Sequence, residues 1–221
     1  PRQITVKKAI FSILIVASAT FSPAESITRI ACVGDSITFG ATVKDRAQNC
    51  YPAVLGRLLG KEYTVRNYGV NGATLLKKGD RPYWKLKAFK DATAFGPNIV
   101  IIKLGTNDTK PQNWNKADTD FEADLRTLIA HFQKQPSKPA IYLCLPVPVY
   151  QDRWGINEKT VTEGVIPVIK KVAKEKKFPI IDLHKALTGK PEMFPDKIHP
   201  NAAGAKLMAQ TIQAALNKKQ K

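Results

Sequence analysis

Gly34-Asp35-Ser36-Ile37 follows directly on a short apolar run, Ile30-Ala31-Cys32-Val33. A serine at the end of a strand and just before a turn projects its hydroxyl from the carboxyl edge of a sheet. Two further groups lie downstream, Gly105-Thr106-Asn107-Asp108 and Asp196-Lys197-Ile198-His199. Together they supply a nucleophile, a polar amide and an acid–base pair, the parts needed to open an ester carbonyl. In that chemistry Ser36 attacks, His199 takes its proton and later returns it to the leaving alcohol, and Asp196 holds the imidazole in the right tautomer. The spacing of Asp196 and His199 suits the task, because positions i and i+3 of a turn or first helical turn point the same way. Pro200 restricts the backbone at His199. The donors expected for the developing oxyanion are the Ser36 N–H, the Gly72 N–H and the Asn107 side-chain amide. Glycine at position 72 permits close approach and an unusual dihedral. Each piece alone is ordinary, since Gly-Asp-Ser is usually only a turn and Asp-x-x-His usually a surface pair or cap. Their weight lies in joint occurrence and order.

These residues need a frame that brings them to one place. Five apolar segments read as strands: Ile30–Val33, Tyr63–Asn67, Ile99–Leu104, Ile141–Leu145 and Pro179–Leu183. Ile99-Val100-Ile101-Ile102 is almost continuously apolar, as a central parallel strand covered on both faces must be. Segments with helical period lie between them. Pro52–Leu59 opens with proline in its first turn and is followed by Gly60. Within Asp118–Phe132, the residues Phe121, Leu125, Leu128, Ile129 and Phe132 form one stripe. Val161, Val165, Val168, Ile169 and Val172 form another, which Pro167 is expected to bend. The last helix spans about Ala202–Leu216. The alternation predicts a three-layer α/β/α sandwich with a five-stranded parallel sheet. Ligands of such sheets bind outside the carboxyl ends of the strands. Ser36 follows the first strand, Gly69 to Gly72 the second, Asn107 the third, and Asp196 and His199 lie beyond the fifth.

The chain has 221 residues, enough for one domain with a real core, and 43% of them are hydrophobic, which excludes a disordered class. Its first part stands apart. Arg2, Lys7 and Lys8 precede the apolar stretch Ala9–Val16, followed by Ala17, Ser18, Ala19 and later Pro23-Ala24. This is the layout of a signal peptide over residues 1–24, so the domain is expected over 25–221 and the protein is expected to be exported, periplasmic or secreted. The alternative is a retained membrane anchor, although the apolar run is short for a span. Without a leader, no stable membrane association is expected. Net charge is +17, and removal of residues 1–24 takes away three cations and no acids, leaving +14. That field suits anionic partners. The lysines are scattered over Lys77-Lys78, Lys170-Lys171, Lys174 and Lys176-Lys177, without the aromatics of a nucleic-acid motif, so they read as solvated helix faces and no nucleic-acid partner is expected. Cys32, Cys50 and Cys144 are odd in number and lack metal-ligand spacing; Cys32 and Cys144 lie in apolar runs as buried thiols, and one disulfide of open pairing is compatible with export. No cofactor and no metal are implied. Asp35 and Asp108 flank the site without a histidine or second carboxylate at ligand spacing, and are expected to support the loops. Lys103, inside the third strand, must find a partner or snorkel to the rim. Oligomeric state is not legible.

The set of motifs resembles the SGNH hydrolases, also called the GDSL family of esterases and lipases. Gly34-Asp35-Ser36 is similar to that family's first block, Gly72 within Asn71-Gly72-Ala73 to its second, Gly105-Thr106-Asn107-Asp108 to its third and Asp196-Lys197-Ile198-His199 to its last, over about residues 29–216. Ile37 stands where leucine is common. The resemblance implies a flavodoxin-like sheet, the triad Ser36, His199 and Asp196, and an oxyanion hole from Ser36, Gly72 and Asn107.

Three longer stretches, 67–76, Lys110-Pro111-Gln112-Asn113-Trp114 and Leu143-Cys144-Leu145-Pro146, resemble the family's carbohydrate-esterase branch, described as sialate O-acetylesterase-like or acetylxylan-esterase-like. That implies removal of O-acetyl groups from sialic acid or an acetylated polysaccharide. Tyr83, Trp84, Trp114, Tyr150 and Trp154 lie on the loops after strands two, three and four, where aromatic faces can stack on sugar rings or merely pack the loops. Asp35, Trp84, Trp114 and Trp154 are accordingly the candidate substrate-binding residues, with a small-molecule or glycan ester as the partner. The rival is a lysophospholipase or acyl-thioesterase with the same triad. A long acyl chain needs an apolar groove, and Lys77–Lys90 is too polar to suggest one. A catalytically silent glycan-binding module is the third reading, and the competent residues at all five catalytic positions speak against it.

Overall fold

The structure, a computed structural model, describes residues 27–114 and 118–218. The leader expected over residues 1–24 lies outside the described residues. Five parallel strands, β1 (Thr28–Gly34), β2 (Tyr63–Gly69), β3 (Ile99–Lys103), β4 (Ala140–Leu145) and β5 (Ile180–Asp182), form one sheet in the order β2-β1-β3-β4-β5. The chain leaves β1 for one neighbour, β2, and then crosses back to the other, β3. The carboxyl ends of β1 and β3 therefore diverge at a topological switch point, where such sheets leave a crevice. Register holds Gly34 opposite Gly69 on one side and Lys103 on the other.

Alternation along the strands sends residues to two cores. Ala31, Val33, Val100, Ile102, Ile141 and Leu143 face one layer, made by α3 (Lys87–Ala94), α4 (Asp118–Gln133) and α5 (Ile166–Lys176). Ile30, Cys32, Ile101, Tyr142, Cys144 and Ile181 face the other, made by α2 (Tyr51–Leu59), α6 (Leu183–Leu187) and α7 (Ala202–Lys218). A short helix, α1 (Ser36–Phe39), springs directly from β1. The predicted stripe of α4 is buried as expected, with Phe121, Leu128 and Phe132 fully enclosed.

The elements differ from expectation in two places. Lys77–Lys90 is polar, yet its end begins α3, whose Ala92 and Phe89 reach the core. The stripe from Val161 to Val172 lies on a continuous helical path that is not regular throughout. Val161–Val165 form a π-helical turn that runs without a break into α5 at Ile166, with Pro167 just beyond that turn. No helix among the described residues is long and apolar enough to cross a membrane. All three cysteines are free and buried.

Candidate active site

The turn from β1 into α1 is made by the residues the chemistry needs. Asp35 caps α1, its Oδ1 accepting the Ile37 N–H at 3.0 Å, and Ser36 is the first helical residue. An N–H in a first turn has no intrahelical acceptor, so that of Ser36 is available to a ligand. The turn is tight enough to exclude side chains at two glycines. A Cβ on Gly34 would lie 2.0 Å from Thr38 Oγ1, and one on Gly69, across the strand pair, 2.1 Å from the Phe39 nitrogen.

Ser36 Oγ lies 2.8 Å from His199 Nε2, and His199 Nδ1 lies 2.7 Å from Asp196 Oδ2. The other carboxylate oxygen, Oδ1, accepts the backbone N–H groups of Ile198 at 3.0 Å and His199 at 2.7 Å. The turn that permits this places Lys197 at a positive φ of 71°. Burial acts most strongly on the Asp196 carboxyl and pulls its pKa upward. The bonds from His199 and Ile198 outweigh burial and hold the group below its ordinary value. Asp196 is thus ionised near neutrality, His199 carries its hydrogen on Nδ1, and Nε2 is left to accept from the serine hydroxyl.

Gly72, at φ 73°, and Asn107 face the same cleft. The Asn107 amide donates one hydrogen to Ala73 O at 3.1 Å, which fixes its plane and leaves the other hydrogen free. Asn113 Nδ2 holds the Asn107 carbonyl at 2.9 Å. The cleft has a volume of ≈ 270 Å³ and is lined by Ser36, Gly72, Asn107 and His199 together with Ala41, Asn71, Lys110, Trp154 and Ile156. Ala41, Lys110 and Ile156 were not legible as site residues. Only the fold brings Ala41, just past α1, together with the loops after β3 and β4 at the rim.

The structure does not bring all the candidate substrate-binding residues to the cleft. Trp154 is there, 56% exposed, its ring centroid 5.9 Å from that of His199, with the Arg153 guanidinium over the indole, 4.5 Å from a ring centroid. Trp84 is not among the lining residues. Its indole N–H donates to Leu75 O at 2.7 Å and its ring packs 5.5 Å from Phe89. Trp114 is likewise used in packing, 5.5 Å from Phe121, and the α-carbon of Gly164 sits so close that a Cβ there would be 2.4 Å from the indole. Asp35 is fully buried and turned away from solvent toward Lys103. Asp35, Trp84 and Trp114 thus do not line this cleft. Two of these rings fill the space between helices and sheet, and the carboxylate is satisfied internally.

Of the two alternatives for Lys103, a partner or the rim, the structure shows the partner. Nζ lies 3.1 and 3.0 Å from the two Asp35 oxygens and 2.7 Å from Thr106 Oγ1. Asp108, also fully buried, accepts the Leu76 N–H at 2.8 Å and the Leu75 N–H at 3.0 Å, tying the loop after Gly72 to the end of β3. Burial pushes its carboxyl up to about 7 against the pull of those two bonds. Among the described residues, no group of three His, Cys, Asp or Glu side chains is placed to hold a metal ion.

Comparison with known proteins points the same way. Residues 32–207 match the GDSL-like lipase/acylhydrolase family. The acetylxylan esterase of Xylanibacter ruminicola is 43% identical over 213 residues, a match covering 88% of this chain and 44% of that protein. The chain thus spans less than half the length of this relative. Among solved structures, an aryl esterase of M. smegmatis is 21% identical with a TM-score of 0.70, covering 87% of this chain and 99% of its own. A carbohydrate acetylesterase from Sinorhizobium meliloti is 18% identical with a TM-score of 0.71, covering 86% and 99%. At those identities the likeness is one of fold.

Proposed function

The chain belongs to the GDSL-like lipase/acylhydrolase family, and on that premise we propose that it is a serine esterase that removes O-acetyl groups from carbohydrate. The observation that carries the reading is the unbroken hydrogen-bond chain from Ser36 through His199 to Asp196 on the wall of the cleft. As Ser36 Oγ bonds to the acetyl carbonyl carbon, its proton passes to His199 Nε2. The negative charge that appears on the carbonyl oxygen is met by the Ser36 N–H, the Gly72 N–H and the free amide hydrogen of Asn107. The bond to the sugar oxygen then breaks, and His199 gives its proton to that oxygen. Water, deprotonated by the same imidazole, attacks the acetyl-serine carbonyl carbon, the bond to Ser36 Oγ breaks as His199 returns the proton to that oxygen, and acetate is released. Asp196 keeps the imidazole oriented and stabilises its cationic form.

Three features support a small acyl group on a sugar. The cleft is small at ≈ 270 Å³, its walls mix Asn71 and Lys110 with Ala41 and Ile156, and the half-exposed Trp154 beside His199 offers aromatic surface that a sugar can contact. The relative from Xylanibacter ruminicola is an acetylxylan esterase, and acetylated xylan is the substrate we propose first, with O-acetylated sialic acid as the other candidate. The basic balance of the chain favours acidic forms of either.

Acetate release from acetylated xylan and from O-acetylated sialic acid, measured beside hydrolysis of p-nitrophenyl acetate and octanoate, tests the reading. Acetate should be released and the acetate ester cleaved faster than the octanoate. Ser36→Ala should lower turnover by about 10⁴-fold or more while leaving the melting temperature unchanged. Faster cleavage of octanoate would replace the carbohydrate reading by a lipase or thioesterase one, and undiminished hydrolysis by Ser36→Ala would remove the triad.

A further inference from the structure

Lys103 sits in the middle strand of the sheet with no exposure at all, where an aliphatic residue would pack. Its three N–H donors are matched by the two Asp35 oxygens and Thr106 Oγ1. A buried ion pair of this kind seldom adds stability, because two apolar side chains of similar volume serve the fold as well or better. What distinguishes this pair is its place. Asp35 is the residue before the nucleophile, and its Oδ1 holds the Ile37 N–H and so the first turn of α1, from which the Ser36 hydroxyl and N–H project.

A carboxylate is a strong cap for that turn. It also puts a negative charge on the residue next to the nucleophile, in a buried environment that screens it less than water would. We infer that Lys103 is a positioning residue for acyl transfer, whose ammonium cancels the charge of Asp35 so that the carboxylate can cap α1 and fix Ser36 without opposing the oxyanion. Lys103 touches neither substrate nor Ser36 and acts only through Asp35 and Thr106. The inference rests on the triad reading given above.

The test compares wild type, Lys103→Met and the double variant Asp35→Asn/Lys103→Met, with kcat and KM for p-nitrophenyl acetate and a thermal melt for each. In Lys103→Met the buried Asp35 carboxyl loses its counter-charge and takes up a proton more readily, so the assays are run as a pH profile, and on its alkaline side, where the carboxyl is ionised, kcat should fall at least about tenfold with KM nearly unchanged, because ground-state binding is not affected. In the double variant the asparagine oxygen still caps Ile37 and no charge remains, so kcat should return to within about threefold of wild type. A Lys103→Met enzyme with wild-type kcat would overturn the inference, and so would a folded double variant as slow as Lys103→Met. If Lys103→Met does not fold, the double variant decides alone, near-wild-type kcat supporting the inference and a drop of about tenfold or more sinking it. Ser36→Ala run in parallel separates the two questions. An inactive Ser36→Ala beside a fully active Lys103→Met sinks only the role of Lys103, whereas an active Ser36→Ala sinks the triad itself.

Discussion

Asp196 uses both of its oxygens, one on the imidazole and one on two backbone N–H groups of the same turn. The backbone bonds fix the carboxylate, and the fixed carboxylate fixes His199. Asp196→Asn keeps the size of the side chain but allows its amide to donate toward Nδ1. That would turn the imidazole to the wrong tautomer, with Nε2–H facing Ser36. By analogy with serine proteases, kcat should fall by up to about 10⁴-fold while the fold persists, measured as turnover of p-nitrophenyl acetate with a melt as control. Because the Asp196 pKa is depressed in the folded protein, its contribution to stability is present above the ordinary carboxylate value and is lost as pH falls through the depressed one. The residue scale also shows what side-chain type cannot tell. Trp84, Trp114 and Trp154 are equally suited to meet a sugar, yet two of them are spent on Phe89 and Phe121 and only Trp154 reaches the cleft. Which way a ring turns depends on neighbours distant in sequence, and Gly164, which makes room for Trp114, carries no local sign of that task.

At the scale of elements, the site is an edge at which separate loops are tied to one another. Asp108, on the loop after β3, holds the backbone of Leu75 and Leu76, just past Gly72. Its carboxyl is pushed up to about 7 by burial, well above the value of about 3.9 in an unfolded chain. The folded protein therefore binds this proton more tightly than the unfolded one. The stability it contributes is complete below about pH 4 and is lost as pH rises toward 7. Asp108→Asn should flatten that slope in melts taken between about pH 4 and 8, and should cost about 1–3 kcal/mol because its amide nitrogen cannot accept the second N–H. A slope unchanged by the substitution would show that another group titrates. Most strands were legible because each holds a short apolar run, β2 being a more polar edge strand, and β3 could be placed at the centre because Ile99–Ile102 carries apolar residues toward both layers. α3 was hidden, since its first turn is lysine-rich and its inward residues, Ala88, Phe89 and Ala92, include a single large side chain. The π-helical turn before α5 was hidden too, because it lets the valines keep one face without the regular period.

For the molecule as a whole, the strand order carries the design. β1 and β3 are neighbours that hand the chain to opposite directions, so Ser36 and Asn107 stand on the two banks of one crevice, while Asp196 and His199 arrive from beyond β5. Four motifs spread over most of the sequence could be assigned to one rim from alternation of strand and helix alone. The ties beneath them, Asp35 to Lys103 and Asp108 to Leu75 and Leu76, could not, because buried polar partners are chosen by three-dimensional proximity and leave no periodic trace.

Cys32, Cys50 and Cys144 are all buried, the first and last in the core on one side of the sheet, and burial pushes the Cys144 thiol up to about 12 and Cys32 higher still. The native molecule should consequently give no colour with an aromatic disulfide dye at neutral pH, and three equivalents per chain once denatured. Dye uptake would then act as a clock for opening of the whole domain, readable without any substrate. Instant reaction of the native protein would contradict the sealed interior.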